Sequence, residues 1–381
     1  MIDEICKPDA CTGCSACAQT CPKQCIAMHP DEEGFLRPAI DQSVCVHCGK
    51  CRKVCPINQL LEDDGVWPMA FAAKHLDDNV RDASSSGGVF SAFASHILGL
   101  DGAVIAAGFD DNYRVIHKVC TCEDSLDELR RSKYVQSDIN GMYREAKLRL
   151  EKAQKVLFCG TPCQIGGLIA FLGKPYSNLY TVDFICHGVP SPKLWAKYLA
   201  FRQSKSNANV KNVSFRDKVS GWVNYSMRLW FEDGTEYCST VREDYYLRSF
   251  IMDMDLRPSC NQCKFKQVHR LADITLADFW GAEKVNPSFA DDKGISLVLV
   301  HSEKGQELIR VIQEKVQLSE VDCAAALQSN PSFTKSVSMP PLRNRFMKEA
   351  DSLDFAKLHD KYCGTSLPSR IRRKIANLRR K

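Results

Sequence analysis

The chain has 381 residues, 44% of them hydrophobic and 25% charged, enough for two or three domains with well-buried cores. Its formal charge of +5 hides an asymmetry: residues 361–381 carry eight Lys or Arg and no acid, so the other 360 sum to −3. A body of that charge excludes a polyanion-binding surface, and with it a zinc-bearing nucleic-acid binder.

The N-terminus lacks the basic stretch and apolar run of a secretory signal, so the twenty cysteines lose the oxidising compartment that disulfides need. Metal or catalytic thiols in a reducing cytoplasm are expected instead. The most apolar run, residues 87–109, is broken by His96, Asp101 and five glycines. It reads as helix, turn and strand rather than a membrane span of ~20 apolar residues.

Residues 1–60 are cysteine-dense. Cys11, Cys14, Cys17 and Cys21, followed by Pro, recur at the same spacing as Cys45, Cys48, Cys51 and Cys55, again followed by Pro. Three cysteines at x2 spacing suit one corner of a 4Fe–4S cubane, and the fourth, before proline, ligates the other cluster. The expected sets are therefore Cys11, Cys14, Cys17 and Cys55, and Cys45, Cys48, Cys51 and Cys21. A two-cluster bacterial ferredoxin domain follows; zinc would want single four-ligand units. Cys6 and Cys25 fall outside the pattern and read as small buried residues.

Residues 61–68, acidic with a Gly and a Pro, read as a linker. From Met69 the texture becomes that of an α/β (α+β) core with a mixed, partly parallel sheet. Strand-like runs stand at "AFAAKHL", "GAVIAAGF", 155–158, 178–186, "ADITLAD" and "GISLVLV", with helical spacing of Val89, Phe93 and Ile97 between the first two. Residues 212–239 form alternating runs around a Gly-Thr turn, the pattern of an antiparallel hairpin. The core divides at about 150 into parts 69–150 and 151–345, leaving 346–381 as a basic tail.

Cys260 and Cys263 form a lone Cys-x2-Cys pair, which cannot close a four-ligand site. If the strands ending near Phe158 and Ile185 are parallel neighbours, Cys163 and Cys186 share the sheet edge where ligands bind in α/β folds. A loop carrying Cys260 and Cys263 would then complete a third four-thiolate site, with Cys159 a substitute candidate. A dithiol, or inert thiols, remain open alternatives. Cys120 and Cys122 read as strand alternation; Cys238, Cys323 and Cys363 have no local partner.

The strings "SSSGGVFSAFASHIL", "RRSKYVQSD", "VLFCGTPCQIGGL", "DFICHGVPSPKLW", "SFRDKVSGW", "RPSCNQCKF" and "ADITLADFWG" resemble, in order, the β-subunit family of coenzyme F420-reducing hydrogenases and formate dehydrogenases. That family also takes in hydroxymethyl-chlorophyll a reductases. The resemblance spans about residues 68–300. It implies FAD, an iron–sulfur cluster and electron exchange between the two, with Cys163, Cys186, Cys260 and Cys263 holding a third 4Fe–4S centre. The fused ferredoxin departs from the F420-dependent complexes and resembles free-standing iron–sulfur flavoproteins, some associated with cell-surface polysaccharide synthesis. F420 is therefore a secondary cofactor candidate.

No Gly-x-Gly-x-x-Gly follows a strand, so a Rossmann site is not indicated. Ser84, Ser85, Ser86, Gly87 and Gly88 directly precede a helix, where exposed amides and hydroxyls suit a phosphate; a Ser-rich cap is the alternative. The resemblance favours the pyrophosphate of FAD. Lys133, Gln136, Ser137, Gly160, Thr161 and Trp280 are further cofactor-binding candidates, against solvated charge, turn caps and a core tryptophan. His187 is the candidate proton donor, and Arg216, Asp217 and Arg257 are candidates to face substrate.

These expectations add up to an oxidoreductase passing electrons from a ferredoxin-like one-electron carrier through three clusters and FAD to a small-molecule or lipid-linked sugar substrate. The rival is a relay subunit of a larger complex, including an F420-linked hydrogenase or dehydrogenase. Ile371, Ile375 and Leu378 share one helical face amid positive charge, which suits peripheral contact with the inner membrane face.

Overall fold

The computed structural model describes residues 4–59 and 65–378. Residues 61–64 of the expected linker, and the last three residues of the tail, lie outside them.

In the N-terminal part, the short helix Ala16–Thr20, the hairpin of β1 (Ile26–Pro30) and β2 (Leu36–Ile40), and the helix Lys50–Lys53 follow one another. The two cysteine motifs share a backbone. Gly13 and His47 have φ of 69° and 52°, and Ser15 and Gly49 have 63° and 74°. Two left-handed residues per motif curl the chain so that successive thiols turn inward.

The core is one eight-stranded sheet. Its strands are β3 (Met69–His75), β4 (Ala103–Phe109), β5 (Val115–Cys120), β6 (Val156–Cys159), β7 (Leu179–Phe184), β11 (Ile274–Asp278), β12 (Ser296–Val300) and β13 (Val316–Val321). The order is β13-β3-β12-β11-β7-β6-β4-β5. The strands β4, β6, β7 and β11 run parallel, and the outer pairs are antiparallel. The expected mixed, partly parallel sheet behind a ferredoxin-like domain is what forms. Residues on either side of the boundary at 150 feed this single sheet.

Between β7 and β11 the chain builds a separate antiparallel sheet of β8 (Val210–Asp217), β9 (Ser226–Phe231) and β10 (Glu236–Thr240). The expected hairpin is thus a three-stranded sheet, because β8, irregular in register, adds its buried face to the β9–β10 pair.

The tail begins later than expected. Phe346, Met347, Phe355, Leu358, Tyr362 and Cys363 are buried in the aromatic core with Trp195, Tyr198 and Tyr246. Apolar spacing across helices Arg343–Glu349 and Phe355–Tyr362 outweighs the basic composition. Only the helix Leu367–Leu378 stands out, with Ile371, Ile375 and Leu378 exposed. Among the described residues no helix is long and apolar enough to cross a membrane.

Candidate functional site

In the first N-terminal group, cysteines from the two repeats lie near one another. Cys14 and Cys17 lie in the fields of Cys11 and Cys55 across the repeat. Burial pushes the Cys14 thiol up to about 12. Cys6 hydrogen-bonds both Cys11 and Cys55, which holds them down at about 5 and about 7. In the second set, Cys51 lies in the fields of Cys48 and Cys45, and Cys21, Cys45, Cys48 and Cys51 line one small cavity.

That cavity also contains Cys25, whose Sγ is 3.4 Å from that of Cys21. The reading of Cys6 and Cys25 as plain buried residues is corrected: Cys25 is buried and Cys6 half-buried, yet each lies against one ligand set. The regular spacing gave no hint of either.

The third set forms because two loops dock antiparallel. Pro190 bridges Leu256, the Arg257 amide donates to Val189 O at 3.0 Å, and Lys266 Nζ donates to His187 O at 3.1 Å. Gly188 permits this approach, since a Cβ there would lie 2.8 Å from Leu256 and 3.4 Å from Cys260. Cys260 thereby meets Cys186, just past the carboxyl end of β7. Cys163, in the first turn of the helix Pro162–Leu172, lies in the fields of Cys263, Cys186 and Cys260. Burial drives Cys163 and Cys186 upward, and Cys260 to about 11. All four cysteines are half-buried, and thiols raised in this way are poor free dithiols. Among the described residues no three His, Cys, Asp or Glu side chains are placed to hold a single metal ion. Cys159, the substitute, keeps company with Asp183 and Lys133 instead.

The flavin candidates divide. Ser84 Oγ donates to Val80 O, Ser86 Oγ donates to Ile295 O, and Ser85 Oγ accepts from Ser132 N. Gly87 is pressed against the sheet, with an added Cβ 2.4 Å from Ala73 O, and its amide donates to Ser296 Oγ. This stretch docks the helix Val89–Leu98; Gly88 begins it at φ 87°. Thr161 caps the helix Pro162–Leu172 in a capping box with Gln164, beside Gly160, and touches Cys163 Sγ at 3.1 Å.

Gln136 and Ser137, expected on the cofactor, bond protein groups. Gln136 is buried against the ferredoxin part, donating to Thr12 O at 2.8 Å and accepting from Arg257. Ser137 Oγ pairs with His117 Nδ1 at 2.8 Å. Arg257 faces Cys11 rather than a substrate crevice. Asp217 caps the turn at Val219 and Trp280 stacks on Trp222 at 4.8 Å. His187 stays beside the third set, its Nε2 2.5 Å from Asp253 Oδ1.

Two further cationic candidates are Lys133 and Arg216. Lys133 is half-buried over Phe109, its ammonium bonded to Arg130 O, and desolvation lowers it to about 7. Arg216 pairs with Asp278 at the end of β11 and lies 4.4 Å from the Tyr225 ring and 5.4 Å from the Trp280 ring. Its Nε and Nη2 are buried and have no partner. Two orphaned donors beside aromatic rings suit a planar group with carbonyl oxygens, such as a flavin.

Residues 10–58 match the family described as 4Fe-4S dicluster domain, and residues 153–325 match the family described as the C terminus of the coenzyme F420 hydrogenase/dehydrogenase beta subunit. The chain is 22% identical over 374 residues to a coenzyme F420-dependent sulfite reductase of Methanocaldococcus jannaschii, covering 96% of this chain and 56% of that protein. It thus spans little more than half the length of that relative. A ferredoxin 7Fe of Hydrogenibacillus schlegelii is 36% identical over 66 residues, 17% of this chain and 78% of the ferredoxin. A chain of the F420-reducing NiFe hydrogenase complex from Methanosarcina barkeri is 17% identical, with a TM-score of 0.46 over 74% of this chain and 99% of that one. Residues 10–58 therefore belong to the 4Fe-4S dicluster family, and residues 153–325 to the C-terminal region of coenzyme F420 hydrogenase/dehydrogenase β subunits.

Proposed function

We propose that the chain is an iron–sulfur flavoprotein oxidoreductase with three 4Fe–4S centres and one FAD. The carrying observation is that Cys163, Cys186, Cys260 and Cys263, drawn from three separate segments, converge beside the dicluster part. Bound clusters would supply one-electron transfer, and a bound flavin would join it to two-electron chemistry. The protein's share is to hold four thiolates per centre, exclude water from the third set, and present Arg216 and Lys133 to the flavin. His187, held by Asp253 next to Cys186, is the candidate proton donor at that end. The donor would be a ferredoxin-like carrier, and the acceptor a small molecule or a lipid-linked sugar of cell-surface polysaccharide synthesis. The exposed basic helix Leu367–Leu378 would then contact the inner membrane face.

A second reading is an electron-relay subunit of a larger assembly, F420-linked ones included. The chain's match to only 56% of a longer F420-dependent enzyme favours it. Anaerobic purification with iron, flavin and F420 analysis tests the first reading, which expects about twelve irons and one FAD per chain. Eight irons and no flavin would leave the relay.

A further inference from the structure

We infer that Arg257 is the positioning residue at the joint between the first dicluster centre and the third, and that its guanidinium raises the first centre's reduction potential through a hydrogen bond to the Cys11 sulfur. The half concerning the third centre rests on the function proposed above; the half concerning the first rests on the dicluster domain alone.

Arg257 is fully buried, an unusual place for a guanidinium. Its Nε donates to Cys11 O at 2.9 Å, Nη1 to Gln136 Oε1 at 2.7 Å, and Nη2 to Leu36 O at 3.0 Å and Cys11 Sγ at 3.7 Å. Gln136 in turn donates to Thr12 O, closing a ring around the first ligand loop. Gly13 makes room for it: a Cβ there would lie 2.8 Å from Arg257 Nη1 and 2.9 Å from Gln136 Nε2.

The backbone of the same residue serves the third set. Its amide is anchored on Val189 O, and its carbonyl accepts from the Cys260 amide at 2.9 Å. One residue therefore grips a ligand loop of the first centre with its side chain and begins a ligand loop of the third with its main chain.

The two sets meet elsewhere too. Gly167, on the helix that carries Cys163, would place a Cβ 3.0 Å from Cys14 Sγ, and Tyr143 lies in the fields of Cys14, Cys17 and Cys163. The second set keeps Cys48 exposed. The order solvent, second centre, first centre, third centre follows. With clusters bound, the Cys11, Cys14, Cys17 and Cys55 set and the Cys163, Cys186, Cys260 and Cys263 set would exchange single electrons with no proton required. A charge-assisted N–H donor to a ligand sulfur favours the more negative, reduced state.

The test is a redox titration of the intact anaerobic protein followed by electron paramagnetic resonance, with iron per chain measured alongside. A Cys48→Ser variant tells the first centre's signal from the second's. Arg257→Met is expected to keep the dicluster iron and to raise the first centre's oxidised-to-reduced ratio at fixed potential about tenfold, ~59 mV for one electron. Arg257→Lys should recover part of that shift. If Arg257→Met loses iron, Gln136→Glu carries the test: it keeps Arg257, sets a carboxylate against the guanidinium, and should lower the same midpoint. Unchanged midpoints with intact iron overturn the inference. A wild type with eight irons removes the third centre and the joint, while the first centre's midpoint is still read.

Discussion

Arg343 and Glu33, 310 positions apart, form a two-pronged ion pair: Nη1 reaches Oε1 at 2.7 Å and Nη2 reaches Oε2, while Nε and Nη2 also donate to Leu256 O. Glu33 lies in the turn between β1 and β2, and Arg343 begins a core helix and is 1% exposed. The pair clamps the dicluster hairpin against the loop that leads into Arg257 and Cys260.

Glu33→Gln should therefore destabilise the whole protein, by about 2 kcal/mol given that the carboxylate is partly exposed while its partner is buried. Thermal unfolding of the anaerobic protein would show it. Arg37→Gln, which loosens the more exposed pair with Asp31, should cost well under half as much.

Cys260→Ser should remove about four of about twelve irons and leave the dicluster pair intact. Cys163→Ser should do the same, and Cys159→Ser should remove none, because Cys159 lies with Asp183 and Lys133. Iron analysis and absorbance read all three, and a Cys260→Ser protein with full iron would restore the dithiol alternative.

Arg216→Met should lower flavin affinity at least tenfold, about 1.4 kcal/mol, with iron unchanged, since it removes two buried donors that have no protein partner. Equilibrium dialysis of deflavinated protein against FAD measures it. Full flavin retention would remove Arg216 from the site.

Burial raises the Asp183 carboxyl to about 6, despite Arg270 3.9 Å away and the Thr275 hydroxyl. Between the unfolded value near 4 and about 6 the folded state binds the extra proton, so this group's contribution falls as pH rises through that window. Asp183→Asn stays neutral. Its stability relative to the wild type should therefore grow from pH 5 to pH 7, levelling off at ~2–3 kcal/mol. A relative stability independent of pH would show that Asp183 ionises normally.

Removal of residues 365–381 should abolish sedimentation with anionic vesicles and leave iron content unchanged, because Ile371, Ile375 and Leu378 are exposed on one basic helix. Equal sedimentation of both forms would rule out this attachment.

The N-terminal dicluster domain was legible because its signature is local: x2 steps and a Cys-Pro ending, repeated once. The parallel strands were legible from runs such as Val156–Cys159, whose burial leaves a continuous apolar stretch, and Leu179–Phe184, apolar but for Thr181 and Asp183. Gln136 and Arg257 had protein partners that were not legible, for the opposite reason. Their types suit a cofactor or a substrate, but partners at Thr12 and Cys11 lie more than a hundred residues away, and local pattern carries no record of such contacts.

By itself, then, the sequence determined the dicluster domain and the kind of sheet, since each follows from patterns over a few residues. Only the tertiary structure decided that Cys6 and Cys25 lie against ligand sets, that Arg216 holds unpaired donors, and that a buried Arg257 joins the first set to the third. Those facts depend on which distant segments share a desolvated space, and desolvation is a property of the packed whole.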